Sequence, residues 1–195
     1  MNELIILASS SGVRRKILNE NGINCEVIPS GVDEEEVKNS LISEGAGPLL
    51  ISKNLAELKS IKISKKKPNK IVLGADSVID LNGEIISKPK NREEAFMILE
   101  KLNGKTHNLI SSVCISKNGA MIWNCTDSST LTMKKLNSEQ LKSYLEKIRD
   151  KFLYAYGVYQ IESDGRSLFS KIEGDENTIM GLPIKQIKEY LKNLQ

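Results

Sequence analysis

Three consecutive serines, a glycine and an arginine lie close together near the start of the chain, in the stretch Leu7–Arg14. The stretch follows an apolar run, Leu4–Leu7, that is typical of a buried strand, and a charged, helix-compatible run follows it. In a strand–turn–helix unit, the serine hydroxyls and the free N–H groups of the first helical turn point to one place. With Arg14 and Arg15 within one turn of it, this segment is a candidate phosphate site; a plain N-cap with solvated arginines is the alternative.

A carboxylate follows a second short apolar run, Ile71–Leu73, in the segment Gly74-Ala75-Asp76-Ser77. Small residues let a backbone approach closely, and ligand sites in α/β sheets lie at the carboxyl ends of strands. Asp76 is therefore a candidate catalytic carboxylate at a strand end. An ordinary turn aspartate is the alternative.

A hairpin is predicted directly after Asp76. Asn82-Gly83 tolerates positive φ and separates two strand-like runs, Val78–Leu81 and Glu84–Ser87. This hairpin would return the chain, with Lys88, toward Asp76.

Two further helices are predicted between the helix that follows the serine turn and Asp76. The acidic run Asp33–Glu36 is typical of a solvent-facing helix start, with a carboxylate in a cleft as the alternative. Apolar residues spaced as on one helical face then predict an amphipathic helix from Pro48 to Lys59, with Lys59 on its polar surface. The basic run Lys65–Lys67 is interpreted as a solvated loop.

The second half of the chain alternates helix and strand patterns. Asn91 and Glu94 resemble a capping box for a helix that ends at Asn103-Gly104. Further helices are predicted over Ser138–Ile148 and from Pro183 onward. The predicted strands are Leu109–Ser116, Met121–Cys125, Ser129–Met133, Tyr156–Ile161 and Leu168–Ile172.

Composition limits the function classes. With 195 residues, the chain is predicted to form a single domain, and a net charge of +3 argues against a nucleic-acid-binding protein. No apolar run is long enough to span a bilayer and the first residues lack the pattern of a signal peptide, so a cytoplasmic protein without a membrane partner is expected. Three cysteines without a Cys-x-x-Cys pair predict reduced thiols.

Taken together, these segments resemble the Maf family of nucleoside triphosphate pyrophosphatases. The family signature Leu-Ala-Ser-x-Ser-x-x-Arg matches Leu7–Arg14, and the resemblance covers nearly the whole chain in order. Its further segments are Val32-Asp33-Glu34, Leu55–Lys59, Gly74–Ser77, Lys88-Pro89, Leu102–His107, Tyr156–Glu162 and Gly181-Leu182-Pro183.

The resemblance implies an α/β fold, with a mixed, curved sheet flanked by helices and a cleft between two lobes. It also implies hydrolysis of a nucleoside triphosphate to the monophosphate and pyrophosphate, with Asp76 as the general base or as the carboxylate that orients the attacking water and a divalent ion. The implied phosphate-binding residues are Ser11 and Arg14, with Ser9 supporting the turn and Lys59 and Lys88 neutralising charge from the opposite side.

A divalent cation, Mg²⁺ or Mn²⁺, is implied as the cofactor, with Asp76 and Glu34 as its ligands. Two carboxylates suit magnesium, which takes few protein ligands and binds substrate phosphates as well.

The base is not fixed by the resemblance. Where many relatives have Tyr-Gly-Ile-Gln-Gly, this chain has Tyr159-Gln160-Ile161-Glu162-Ser163. A glutamate at this position accompanies a preference for 7-methyl-GTP and a glutamine accompanies dTTP and UTP, so Glu162 favours a purine or modified purine. A buried glutamate would accept hydrogen bonds from N1 and the exocyclic amine of guanine.

Two further expectations follow from the resemblance. A homodimer is common among similar proteins. The alternative function is a nucleotide-binding regulator of cell division and septum formation with little turnover, in which Asp76 has no use as a general base.

Overall fold

One long strand, flanked by a long helix, forms the centre of the computed structural model, which describes residues 4–194. The strands are β1 (Ile5–Leu7), β2 (Cys25–Val27), β3 (Val72–Leu81), β4 (Glu84–Ile86), β5 (Thr106–Lys117), β6 (Ala120–Met133) and β7 (Phe169–Glu173). The helices are α1 (Gly12–Glu20), α2 (Glu34–Ser43), α3 (Pro48–Lys66), α4 (Arg92–Leu102), α5 (Ser138–Lys147), α6 (Asp150–Tyr156), α7 (Glu176–Ile179) and α8 (Ile184–Asn193), with a 3-10 helix over Asp164–Leu168.

The sheet is mixed, as predicted. Its strand order is β2-β1-β3-β5-β6-β7, with β4 paired to β3 beside this path. The pairs of β1 with β2 and with β3 are parallel, whereas β3–β4, β3–β5, β5–β6 and β6–β7 are antiparallel. The expected α/β class, a mixed sheet flanked by helices, is confirmed.

Two buried apolar clusters flank the functional region. The first core joins β1, α1, the start of β3 and α8, and includes Leu7, Leu18 and Ile187. The second core joins α4, α5 and the other end of the sheet, and includes Leu99, Leu131 and Leu141. The two clusters form the two sides between which a cleft opens.

Asp76 does not lie at a strand end, which corrects the sequence-based expectation. It lies within β3, where it pairs with Ser112 of β5. The close backbone approach expected at Gly74 is present, since a Cβ at this position would be 2.3 Å from the carbonyl oxygen of Ala56 in α3. The glycine thus permits close packing of helix on strand, which brings α3 beside Asp76.

Other element predictions were wrong in extent or type. The two strands predicted over 121–125 and 129–133 are one strand, β6, because continuous pairing with β5 carries it through the polar middle. The predicted strand Tyr156–Ile161 is the end of α6 followed by turns. Helix α3 continues beyond Lys59 to Lys66, so most of the basic run is helical rather than loop.

His107, the only histidine in the sequence, is buried in the second core. Its Nε2 lies 2.9 Å from the hydroxyl of Tyr159, and its Nδ1 has no hydrogen-bond partner among the described residues. Burial lowers the pKa of His107 to about 4 from an ordinary value of 6.5. The ring is therefore neutral in the folded protein at neutral pH.

This histidine makes stability depend on pH. In the unfolded chain His107 binds a proton near pH 6.5, whereas in the folded chain it does so only at about pH 4. The contribution of His107 to the free energy of unfolding is therefore fully present above pH 6.5 and is lost as the pH falls through this window. We expect a loss of about 3 kcal/mol from this group. Urea unfolding of the wild type and of His107→Gln at steps between pH 7 and pH 4 measures this loss. If the free energy of unfolding depends on pH equally steeply in the variant, the loss does not come from His107.

Candidate active site

A cleft of about 340 Å³ opens between the two cores. The eight residues singled out from the sequence all line it: Ser9, Ser11, Arg14, Glu34, Lys59, Asp76, Lys88 and Glu162. They come from distant parts of the chain, and the fold brings them to one cavity.

The serine turn is organised by its own hydroxyls. Ser11 is the N-cap of α1, and its Oγ accepts a hydrogen bond of 3.3 Å from the backbone N–H of Arg14. The backbone N–H of Ser11 in turn donates to Oγ of Ser9 at 3.2 Å. These bonds fix a strand–turn–helix geometry at the cleft, the arrangement that favours anions at a helix N-terminus.

Arg14 is held firmly in place. Its Nε donates to the carbonyl of Gly181, its Nη1 to the carbonyl of Ala75 and to Ser9 Oγ, and its Nη2 to Ser77 Oγ, at 2.9 to 3.4 Å. These contacts use four of the five N–H donors of the guanidinium. Arg14 therefore presents a fixed positive charge with one donor left, rather than an open fork for a phosphate.

A hydrogen-bond chain extends this anchor across the sheet. Ser77 Oγ lies 2.8 Å from Ser111 Oγ, and Ser111 Oγ donates to the carbonyl of Thr178 at 2.7 Å. Because Ser111 has one hydroxyl proton and uses it for that carbonyl, the proton of Ser77 must point to Ser111. The lone pairs of Ser77 are then free to accept from Arg14.

A buried lysine bridges two carboxylates of the cleft. Nζ of Lys59 lies 2.8 Å from Oδ1 of Asp76 and 2.7 Å from Oε1 of Glu34. The side chains of Lys59 and Asp76 are only 4% and 5% exposed, whereas that of Glu34 is 40% exposed. Lys59 is thus not on the polar outer surface of its helix, as its position in the run of lysines suggested, but on the face packed against β3.

Asp76 keeps one oxygen unused. Its Oδ2 is buried and has no hydrogen-bond partner among residues 4–194. A buried acceptor without a partner is rare in folded proteins. In a carboxylate that lines a cleft, it marks the atom to which a ligand, a water or a cation can bind.

The charges of the cleft perturb one another. Burial alone would raise the pKa of Glu34, but attraction to Lys59 and its hydrogen bond, aided by Lys88 and Lys38, hold that pKa below its usual value. Burial lowers the pKa of Lys88, and attraction to Glu34 opposes this shift while repulsion from Arg14 adds to it. Glu34 is therefore ionised at neutral pH.

Glu162 lies where the sequence motif indicates but in a different environment. It lines the cleft, yet the residue is exposed rather than buried, because it lies in a turn after α6 and not in the predicted strand. Its carboxylate therefore faces water at the edge of the cleft.

Some lining residues were missed by sequence reasoning. Lys38, four residues after Glu34 in α2, adds a cation, and Gln160 adds a buried side-chain amide. The apolar side comes from the second core and includes Ile79, Leu109 and Val158. A spacing of four residues places Lys38 on the same face of α2 as Glu34, so the sequence could have indicated it. Gln160 and the apolar lining residues become neighbours of the site only through the tertiary structure.

A divalent cation fits this arrangement. Among residues 4–194 no group of three or more histidine, cysteine, aspartate or glutamate side chains forms a metal cage. Asp76 with its unpaired Oδ2 and the ionised Glu34 contact the same lysine, however, and together supply the few hard oxygen ligands that magnesium takes beside substrate phosphates.

No helix of the part of the chain described here is long and apolar enough to cross a membrane.

Comparison with known proteins identifies the family. The model of the Maf-like protein family matches residues 4–194. A nucleoside triphosphate pyrophosphatase of Pelagibacter ubique is 68% identical over 96% of both chains, and one of Caulobacter vibrioides is 38% identical over 96% of this chain and 94% of that one. A 7-methyl-GTP pyrophosphatase of Brucella abortus is 36% identical over 98% of this chain and 96% of that one. The chain belongs to the Maf-like protein family.

Proposed function

We propose that the chain hydrolyses a nucleoside triphosphate in this cleft, releasing the nucleoside monophosphate and pyrophosphate. The observation that carries the proposal is Asp76, a buried carboxylate with one unpaired oxygen in a cleft lined by cations. The names of the relatives from Pelagibacter and Caulobacter agree with this reaction.

Charge neutralisation is the first requirement of the reaction. A triphosphate carries about four negative charges near neutral pH, and phosphoryl transfer depends on positioned cations around its oxygens. In the proposed complex, the turn of Ser9 and Ser11 and the fixed charge of Arg14 hold one side of the triphosphate. Lys88 and Lys38 face the other side.

Asp76 serves as the general base. In the proposed step, a water gives a proton to Oδ2 of Asp76 while its oxygen forms a bond to the α-phosphorus. The bond from the α-phosphorus to the bridging oxygen breaks, and pyrophosphate leaves with that electron pair. Lys59 keeps Oδ1 engaged at 2.8 Å, so Oδ2 is the oxygen left over: one of its lone pairs accepts the proton and the other is left for the divalent cation.

Asp76 and Glu34 would hold the divalent cation, Mg²⁺ or Mn²⁺. When bound, the cation neutralises charge on phosphate oxygens and polarises the phosphorus centre. Lys59, which contacts both carboxylates, keeps them close together.

We infer that the base is a purine of the guanine type. The exposed carboxylate of Glu162 at the cleft accepts hydrogen bonds from N1–H and the 2-amino group of guanine. The Brucella abortus relative is named for a guanine nucleotide, 7-methyl-GTP. Removal of modified nucleotides from the cellular pool is a role consistent with this chemistry.

A nucleotide panel tests the activity. Purified protein with Mg²⁺ or Mn²⁺ is expected to release pyrophosphate, and not orthophosphate, from at least one canonical or methylated nucleoside triphosphate. Separate colorimetric assays for the two products provide the measurement. Nucleotide binding without turnover across the whole panel would reject the enzyme and favour a nucleotide-binding regulator.

We also propose that the protein acts in the cytoplasm as one catalytic domain and as a homodimer. The proposed location accords with the lack of a membrane-spanning helix among residues 4–194. Sedimentation equilibrium of the purified protein tests whether it is a homodimer.

A further inference from the structure

Gln160 is a partly buried residue whose side-chain amide has no role in the proposed reaction. It lines the cleft, and its Nε2 is shielded from solvent with no hydrogen-bond partner among the described residues. A buried donor without an acceptor is costly, because it has lost its water and gained nothing in return. The residue is therefore a candidate for a contact that the ligand completes.

The backbone around Gln160 is held at three successive residues. The carbonyl of Val158 accepts from the hydroxyl of Tyr144 at 3.2 Å, and the hydroxyl of Tyr159 lies 2.9 Å from His107 Nε2. The carbonyl of Gln160 accepts from the backbone N–H and the hydroxyl of Ser163 at 3.1 and 3.2 Å. This segment cannot shift easily, so the amide leaves the backbone from a fixed point.

A glycine tightens the same turn. A Cβ at Gly165 would lie 2.5 to 2.8 Å from backbone atoms of Gln160, so the two backbones are in direct contact. Side chains that read a ligand need this kind of support, since a loose donor discriminates poorly.

The surroundings of Gln160 suit a base rather than a phosphate. The cleft residues next to it in sequence, Val158, Tyr159 and Ile161, are buried members of the second core. The phosphate-binding candidates Ser9, Ser11 and Arg14 lie on the side of the first core. A flat, largely apolar ring with polar edges matches the side on which Gln160 lies.

We propose that Gln160 is a specificity residue whose side-chain N–H donates to an exocyclic oxygen of the base, so that the cleft prefers 6-oxopurines and 4-oxopyrimidines to their amino counterparts. This inference rests on the proposed binding of a nucleoside triphosphate in the cleft. Adenine and cytosine present an amino donor at that position, which leaves the amide donor unpaired and opposes it with a second donor.

Two pairs of nucleotides test the inference. Hypoxanthine and adenine differ at position 6, and uracil and cytosine differ at position 4, so ITP is compared with ATP and UTP with CTP. Binding is measured by isothermal titration calorimetry on Asp76→Asn protein, in which turnover does not disturb the equilibrium. We expect the oxo member of each pair to bind about 10- to 100-fold more tightly, the range for leaving a buried donor unpaired.

Variants at Gln160 separate the amide from general packing. Gln160→Met keeps the length of the side chain without the donor and is expected to reduce the preference within each pair by about 10-fold, the remainder coming from the ring N–H that the oxo bases offer to Glu162. Gln160→Glu replaces the donor with an acceptor and is expected to lower the preference further. Gln186→Met removes an amide that bonds to Asp127 away from the cleft, and the preference should survive. Equal binding within each pair by the protein with Gln160 intact, or an unchanged preference in Gln160→Met, overturns the inference.

The same data distinguish this inference from the proposed function. Oxo-selective binding by a protein that releases no pyrophosphate in wild-type form contradicts the reaction and supports the role of Gln160. Pyrophosphate release with no preference between the oxo and amino members of each pair supports the reaction and contradicts the role of Gln160.

Discussion

Replacing Asp76 with asparagine is expected to lower kcat for pyrophosphate release by about 10²- to 10⁴-fold, the usual contribution of a general base. Asparagine has nearly the same shape, and its carbonyl oxygen still accepts the hydrogen bond that Lys59 now gives to Oδ1 at 2.8 Å. It cannot accept a proton from the attacking water. Steady-state pyrophosphate release measures the effect, and calorimetry should show that nucleotide binding persists.

A matched aspartate on the same strand provides the control for this substitution. Asp80 lies four residues further along β3, outside the cleft lining, and its Oδ1 accepts from the backbone N–H of Gly83 in the hairpin turn. Asp80→Asn should retain wild-type turnover. If Asp76→Asn also retained it, the attacking water would need another base and the proposed mechanism would be rejected.

Replacing Lys59 with methionine is expected to damage both stability and activity. The substitution leaves the buried carboxylate of Asp76 without its counter-ion, and removal of one partner of a buried ion pair costs about 3 to 5 kcal/mol. It also removes the cation that engages Asp76 Oδ1, so we expect kcat/KM to fall about 10²- to 10³-fold, as for loss of a preorganised electrostatic contact. Urea unfolding and steady-state kinetics measure the two effects.

A double substitution separates these two effects. In Lys59→Met/Asp76→Asn both members of the buried pair are neutral, so no isolated charge remains in the protein interior. We expect most of the lost stability to return while activity stays low. A double variant as unstable as Lys59→Met alone would mean that the methionine disrupts the packing of α3, and the charge argument would fail.

All eight candidate residues line the cleft, since they come from a signature that extends along the chain. The position of the serines before a helical run predicts Ser10 or Ser11 as an N-cap, and in the structure the N-cap is Ser11. The hairpin at Asn82-Gly83 was predicted from its turn chemistry, and β3 pairs with β4 there. The N-cap and the hairpin each depend on residues that are close together in the chain.

What the sequence did not predict depends on packing between distant segments. The sequence indicated close backbone approach at Gly74 but not its partner, which the structure shows to be Ala56 of α3. Lys59 has the pattern of a surface residue, and its burial follows from the approach of α3 to β3 permitted by that glycine. The exposure of Glu162 likewise follows from α6, a helix that the local pattern did not indicate.

The anchoring of Arg14 has a consequence for how the protein is made. Its guanidinium bonds to Ala75 and to Gly181, 167 residues further along the chain, so one side of the cleft is held together by segments that are far apart in the sequence. A chain emerges from the ribosome with its N-terminal part first. The serine turn is therefore synthesised well before Gly181, so Arg14 gains this partner only after the intervening chain has been made, and a product terminated before Gly181 lacks that anchor.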